Sequence, residues 1–354
     1  MTINELLHVT SQRQASDLHL IVGSPPLLRV DGELVPAGDY PVLTPDETKL
    51  LVFGLVNDQQ KELLLANKEI DFSCQYEGMG RFRVNAYYQK GTVAAALRLI
   101  PARIKTVEEL LLPPLYNQFA QLQQGLILVT GPTGHGKSST LAAIIDLINR
   151  TRTAHILTIE DPIEYVHTPN KCAITQRELH GDTHSWQVAL RSALREDPDV
   201  VMVGEMRDYE TIAAAITCAE TGHLVFATLH TNSASQTVDR VIDVFPDNQQ
   251  PQVRMQLSNA LEAVIAQRLI PRISGGRLPA AEVLLATSAV RNTIREGKSH
   301  QLDNVIQTSG EIGMMSLEAS LAGWVRQGEV TMDVAMKYSL RPEELTRLVK
   351  GRIG

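Results

Sequence analysis

Nine consecutive residues, Gly131, Pro132, Thr133, Gly134, His135, Gly136, Lys137, Ser138 and Ser139, carry the spacing of a phosphate-binding loop, G-x-x-x-x-G-K-[ST]. In such a loop the backbone N–H groups and the start of the next helix form an anion cradle. Lys137 is placed to reach the β- and γ-phosphates, and the Ser138 hydroxyl to sit on Mg²⁺. Gly134 and Gly136 let the backbone curl around the phosphates without a Cβ in the way. His135 fills a free x position and needs no role of its own. The chemistry implied is binding of a nucleoside triphosphate.

Hydrolysis needs metal support and an activated water as well. Residues 199–205 read DVVMVGE, a buried strand that ends in a carboxylate. This is a Walker B pattern with Glu205 where aspartate is common, and Glu205 is expected to hold Mg²⁺ through water opposite Ser138. Residues 159–165 read IEDPIEY and offer Glu160, Asp161 and Glu164 just past another strand. Ligands collect at the carboxyl ends of strands in open α/β sheets. One of these carboxylates can orient or deprotonate the attacking water, and spacing does not choose among them. Residues 221–231 read TGHLVFATLHT. His230 is expected at the same sheet edge, in reach of a γ-phosphate. His223 falls at the opposite end of that strand and suits a subunit interface or a conformational relay. No further ligands share a helical or turn spacing with either histidine, so metal ligation is not indicated.

An arginine pair adds a geometric argument. Residues 81–89 and 92–100 read as a hairpin across Lys90 and Gly91. A two-residue turn pairs Gln89 with Thr92 and so sets Arg83 opposite Arg98, on a face shared with Asn85 and Tyr87. Like charges opposite one another destabilise a sheet. They become useful when an anion lies between them, and a γ-phosphate is the natural candidate.

These groups need a scaffold of alternating strands and helices. Residues 126–130 (LILVT) precede the phosphate loop as a short apolar strand, and residues 138–150 follow as a helix with Leu141, Ile144, Ile145 and Ile148 on one stripe. Further core strands are expected at 155–159, 200–203, 224–228 and 282–285, giving an α/β fold with a mostly parallel sheet covered on both faces. The first hundred residues read as mixed α/β. Helices are expected at 3–14, 45–55 and 59–67, a strand at 17–22, and a hairpin across Asp31 and Gly32. Pro101, Pro113 and Pro114 mark a linker. After Pro271 the chain reads as mainly helical, with helices near 289–296, 315–327 and 342–350.

The length of 354 residues suggests two domains, and 44% hydrophobic residues suffice for real cores. A net charge of −7 argues against nucleic acid as the main partner. Cys74, Cys172 and Cys218 are odd in number and form no C-x-x-C pair, which fits a reducing cytoplasm. No run approaches the ~18 apolar residues of a membrane span, and the first residues lack a signal pattern. Direct membrane insertion is not expected, so any membrane role comes through a partner.

Taken together, GPTGHGKSS, TIEDPIEY, LREDPDVVMVGEMRD and TGHLVFATLHT resemble the secretion and pilus ATPases, and specifically the type IV pilus retraction ATPases of the PilT family. The resemblance extends to DLHL, RVDGEL, RFRVNAYYQKG and QRLIPRISGGRLPAAEVLLAT, nearly the whole chain. It implies a PAS-like α+β domain over residues 1–100, a linker at 101–115, and a RecA-like ATPase core at 116–354 whose helical region starts near 286. It puts the catalytic glutamate on Glu164 and the Walker B glutamate on Glu205. It puts the two histidines of the family's His box on His223 and His230, and the N-terminal arginines on Arg83 and Arg98. ATP with Mg²⁺ is the implied substrate complex. A homohexamer at the cytoplasmic face of the inner membrane is the implied assembly, working on a pilus platform protein, with a paralogous retraction ATPase as a further implied partner.

Relatives in pilus assembly and type II secretion share this chemistry and are the alternative. They carry a longer N-terminal region and usually four zinc cysteines, which this sequence lacks. The retraction branch has a C-terminal AIRNLIRE motif; residues 289–296 read AVRNTIRE and depart from it at Val290 and Thr293. Arg291 and Arg295 stay one helical turn apart. The phosphate loop departs at His135 and Ser139, where Ser and Thr are more usual. A nucleic-acid translocase is disfavoured by the acidic balance, and a non-hydrolysing scaffold by the carboxylates and the arginine pair.

Overall fold

The computed structural model describes residues 1–30, 32–76, 80–100 and 103–351. Asp31 of the first expected hairpin turn and Pro101 of the expected linker lie outside the described residues. The chain divides into two compact units: Met1–Arg103 with Pro162–Val166, and Ile104–Asp161 with His167–Gly354.

The first unit runs α1 (Ile3–Gln12), β1 (Asp17–Leu20), β2 (Leu27–Val30), β3 (Glu33–Pro36), α2 (Pro45–Phe53), α3 (Asp58–Asn67), β4 (Glu69–Tyr76), β5 (Gly80–Gln89) and β6 (Thr92–Ile100). Each helix opens on a reciprocal cap: Thr2 with Glu5, Thr44 with Glu47, and Asn57 with Gln60. Each cap satisfies backbone donors that the first helical turn leaves open. The six strands form an antiparallel sheet in the order β3-β2-β1-β6-β5-β4. Alternation along β5 buries Phe82, Val84 and Ala86 and turns Arg81, Arg83 and Asn85 to the other face. Leu6, Leu7, Leu51 and Val52 complete this core from the helices.

The second unit runs α4 (Tyr116–Phe119), β7 (Gly125–Thr130), α5 (Lys137–Thr151), β8 (His155–Glu160), β9 (Ala173–Glu178), α6 (Trp186–Ala193), β10 (Val200–Val203), α7 (Tyr209–Glu220) and β11 (Leu224–Leu229). It continues through α8 (Ala234–Asp243), α9 (Gln250–Ala260), β12 (Leu261–Pro271), β13 (Arg277–Leu285), α10 (Ser288–Arg295), α11 (Leu302–Thr308), α12 (Leu317–Arg326), α13 (Met332–Tyr338) and α14 (Pro342–Lys350). The sheet order is β13-β12-β7-β11-β10-β8-β9, parallel except for β13. β7 shows why the sheet is covered twice. Leu126 and Leu128 join the core under α6–α9, while Ile127 and Val129 join the opposite core under α5.

Three strands depart from the sequence expectation: β4, β9 and β12 are additional. Residues 282–285 are the end of a nine-residue strand that pairs antiparallel with β12, so the chain after Pro271 enters a hairpin before it turns helical. The far end of that hairpin carries Ile270 and Leu278, which pack with Leu317, Leu321 and Leu345 of the C-terminal helices. Among the described residues no helix is long and apolar enough to cross a membrane, and all three cysteines are free thiols.

Candidate active site

The phosphate loop spans the gap between the end of β7 and the start of α5. Lys137 is 8% exposed and folds over the loop, donating from Nζ to Gly131 O at 2.8 Å and Pro132 O at 3.2 Å. Two glycines are required by close approach. A Cβ on Gly131 (φ +140°) would lie 2.2 Å from Gln267 O, and one on Gly136 (φ +84°) would lie 2.9 Å from Gln267 Nε2. A Cβ on Gly134 would meet nothing, so its demand is the positive φ of +78° alone. His135 has a structural role that the sequence did not reveal: its Nδ1 accepts the backbone N–H of Leu269 at 3.0 Å. Burial, with Arg268, Arg277 and Lys137 nearby, holds the imidazole below the usual histidine range and favours that acceptor form.

β10 and β11 run parallel and deliver two further groups to the same edge. Asp208 caps α7 by accepting from Thr211 N at 2.8 Å, so the chain leaves β10 and turns into the helix within a short loop. Glu205 sits in that loop, which is tied to β11 by Thr228 Oγ1 donating to Gly204 O and Met206 N donating to Thr228 O. His230 follows β11 and bridges the two motifs. Its Nε2 lies 3.0 Å from Glu205 Oε1, and its Nδ1 lies 3.4 Å from Lys137 Nζ and 3.5 Å from Thr133 Oγ1. Arg207 Nη2 donates to Glu205 Oε2 at 2.8 Å. Burial pushes the Glu205 carboxyl up, but Arg207, His230 and Lys137 outweigh it and leave the group below the usual range. Arg207 was not anticipated, although its place two residues past the Walker B carboxylate was a usable signal.

The acidic turn separates its three carboxylates. Glu160 is 7% exposed and turned inward, accepting from Thr158 Oγ1 at 2.7 Å and Gln176 Nε2 at 3.2 Å. Asp161 is exposed, and Glu164 is half-buried in the segment Pro162–Val166 that groups with the first unit. His223 does not join the cluster. It precedes β11 at the opposite end, where its Nδ1 lies 2.9 Å from Cys218 O at the C-terminus of α7.

In the first unit the expected register holds: Gln89 pairs with Thr92 and Arg83 with Arg98. The pair is not left without a counter-ion. Arg98, 69% exposed, donates from Nε to Asp17 Oδ1 at 3.0 Å on the neighbouring strand. Asp17 also faces Arg29, 4.0 Å away. One cross-strand row therefore reads Ser73, Arg83, Arg98, Asp17, Arg29.

In α10, Arg291 is engaged. It donates to Ser258 O and Asn259 O at the end of α9 and pairs with Glu262 at 2.7 Å. Arg295 is exposed.

Among the described residues no group of three or more His, Cys, Asp and Glu side chains is arranged to hold a metal. The two oxygen donors expected from the sequence, the Ser138 hydroxyl and the Glu205 carboxylate, are of the kind that magnesium takes, since it keeps waters and binds through few protein ligands plus substrate phosphates.

Over residues 113–277 the chain matches the family described as Type II/IV secretion system protein. It is 49% identical to the type IV pilus retraction ATPase PilT of Pseudomonas aeruginosa, across 97% of this chain and 99% of that protein. The chain belongs to the PilT family of type IV pilus retraction ATPases. Another relative, the twitching motility protein of Neisseria gonorrhoeae, is 46% identical over 98% of this PilT-family chain and 92% of its own length. The solved structure of the pilus retraction motor PilT with bound ADP matches with a TM-score of 0.92 at 47% identity, covering 98% of this chain and 99% of that one. The α/β fold expected from the sequence, a PAS-like α+β unit followed by a RecA-like P-loop core with C-terminal helices, is thus borne out, and the first unit is built on an antiparallel sheet.

Proposed function

We propose that this chain hydrolyses ATP and couples the energy to retraction of a type IV pilus, the motion behind twitching motility. The observation that carries the reading is identity of 49% across 97% of the chain, far beyond the phosphate loop that many nucleotide-binding proteins share. The relative solved with bound ADP supports the nucleotide as ligand.

In this reading the backbone N–H groups of the loop 131–139, all but Pro132, and the Lys137 side chain bind and orient the triphosphate. Ser138 and Glu205 would hold a magnesium ion, Glu205 through water, and its charge would offset that of the phosphate oxygens. Glu164 takes the proton of the attacking water, a role that the inward-turned Glu160 is poorly placed to fill. Arg207 and His230 keep Glu205 ionised, and His230 sets its Nδ1 beside Lys137 and Thr133 to report on the γ-phosphate. Arg83 and Arg98 supply positive charge to the transferring phosphoryl group, donated between subunits of a homohexamer. His223 serves the ring as a relay away from the chemistry. The ring works at the cytoplasmic face of the inner membrane, on a pilus platform protein, with a paralogous retraction ATPase as a further partner.

Deletion in the host tests the direction of the motor. Retraction predicts surplus pili that fail to shorten, whereas bald cells would assign the chain to assembly. For the chemistry, Glu164→Gln is expected to lower ATP turnover by about 100-fold or more while ADP still binds. Wild-type turnover in that variant would remove Glu164 from the mechanism.

A further inference from the structure

Four carbonyl groups of the phosphate loop are held by side chains from three places. Lys137 holds Gly131 O and Pro132 O. Arg277 Nη1, from β13, donates to Gly134 O at 3.2 Å. Gln267 Nε2, from β12, donates to His135 O at 2.9 Å. In a trans peptide the next N–H points opposite to the carbonyl. Holding His135 O against β12 therefore aims the N–H of Gly136 away from the strand.

These three holds differ in one respect. Lys137 is the group that must turn to the phosphates, so its bonds to Gly131 O and Pro132 O are released when the site fills. The loop then depends on the strands. Gln267 is suited to this. It is 2% exposed, and its amide is oriented at both ends, with Thr140 Oγ1 donating to Oε1 at 2.8 Å while Nε2 serves His135 O. The missing Cβ atoms of Gly131 and Gly136 let the loop lie directly on it.

His135 supplies the second contact. Pairing of β12 with β7 ends at Ala266 and Thr130, where β7 gives way to the loop. Leu269 lies three residues past that end of the pairing, and its N–H is accepted by His135 Nδ1. The imidazole thus gives this N–H of the strand a partner while the strand holds the loop.

We propose that Gln267 and His135 are positioning residues for nucleotide binding: together they latch the phosphate loop to β12, so that it keeps its binding shape once Lys137 engages the phosphates. The proposal rests on reading residues 131–139 as the nucleotide site. The latch acts on the loop alike in ground and transition states, so its loss belongs in affinity more than in turnover.

The test uses the full-length protein, ATP turnover, and ADP titration followed by a fluorescent analogue. Gln267→Leu is expected to raise both KM for ATP and Kd for ADP about 10-fold, with kcat within about twofold. His135→Ala is expected to weaken ADP about threefold to fivefold, and His135→Asn, whose Oδ1 can accept the Leu269 N–H, to restore most of it. Thr140→Val, which removes the donor that orients the Gln267 amide, is expected to weaken ADP by about threefold. If wild type binds no ADP, the nucleotide-site reading itself fails. If wild type binds and Lys137→Ala does not, the site stands and the latch is judged separately. ADP binding as tight as wild type in both Gln267→Leu and His135→Ala overturns the latch, as does a loss confined to kcat. Should Gln267→Leu fail to fold by circular dichroism, the His135→Ala and His135→Asn comparison decides: equal affinities overturn the proposal, and rescue by asparagine supports it.

Discussion

His230 stands between Glu205 and Lys137, with Nε2 3.0 Å from the Glu205 carboxylate and Nδ1 3.4 Å from the Lys137 ammonium. The neighbours assign the tautomer. A carboxylate only accepts and an ammonium only donates, so the proton sits on Nε2 and the lone pair on Nδ1. The imidazole thus joins the Walker B carboxylate to the phosphate-loop lysine. His230→Ala is expected to lower kcat for ATP about 10- to 100-fold while KM moves less than about threefold. Steady-state ATPase assays check this, and a change confined to KM would make His230 a binding group only.

The row Arg83, Arg98, Asp17, Arg29 carries three guanidinium groups around one carboxylate. Asp17→Asn removes the only anion in that row and leaves like charges on adjacent strands. The loss is expected to be under about 1 kcal/mol, because Arg98 is largely exposed and water screens the interaction. It should shrink further in 0.5 M salt, where screening acts over about 4 Å. Urea denaturation at low and high salt tests both points. An effect that does not depend on salt would mean that Asp17 acts through packing or the Ser16 hydroxyl that donates to it.

Much of this site could be read from the residues because its motifs are local. A strand ends, a loop or carboxylate follows, and the next helix begins within a few positions, as in residues 126–139 and 199–209. The Arg83–Arg98 register followed from a two-residue turn alone. What escaped notice depends on strands that disguise themselves. In β12, Leu261, Val264, Ile265 and Leu269 repeat at helical spacing, yet the segment is an extended strand buried between β7 and β13. Without β12 in place, Gln267 has no reason to meet the phosphate loop, and His135 looks like a free position. β9 hides for another reason. It is an edge strand with a half-exposed, polar sequence, AITQRE, and so lacks the apolar run that betrays a central strand. Asp17 was visible as part of DLHL, but pairing it with Arg98 requires knowing that β1 lies beside β6.

The two arginines of α10 predict different outcomes. Arg291 satisfies two carbonyls at the end of α9 and pairs with Glu262, so Arg291→Ala is expected to cost about 1–2 kcal/mol of stability. Arg295→Ala should leave the thermal midpoint within about 1 °C, since exposed substitutions rarely matter. Parallel thermal melts separate the cases. A loss of pilus retraction in Arg295→Ala without destabilisation would mark the exposed arginine as a contact to another component. A midpoint for Arg291→Ala equal to wild type would show that the α9 terminus finds other donors.

Glu282 gives the protein a pH dependence of defined sign. It lies on β13 at 1% exposure, where Oε1 accepts from Ala234 N at 2.7 Å and Oε2 lies 3.5 Å from Arg341. Burial pushes its carboxyl from 4.5 to about 7, with Asp303 and Glu318 adding repulsion that the Ala234 N–H and Arg341 only partly offset. A group whose folded-state value is raised contributes stability that is complete below its unfolded value. That contribution is lost as the pH rises through the folded value, here between 4.5 and about 7. Glu282→Gln keeps an oxygen for Ala234 and cannot ionise. Its stability relative to wild type is therefore expected to increase by about 2–3 kcal/mol from pH 5 to pH 8. Because Ala234 opens the helix that follows the His230 turn, wild-type turnover should also soften over the same range while the variant's does not. Denaturation curves of both proteins at pH 5, 6, 7 and 8 settle the matter. A gap that stays constant with pH would show that Arg341 fully balances the Glu282 charge.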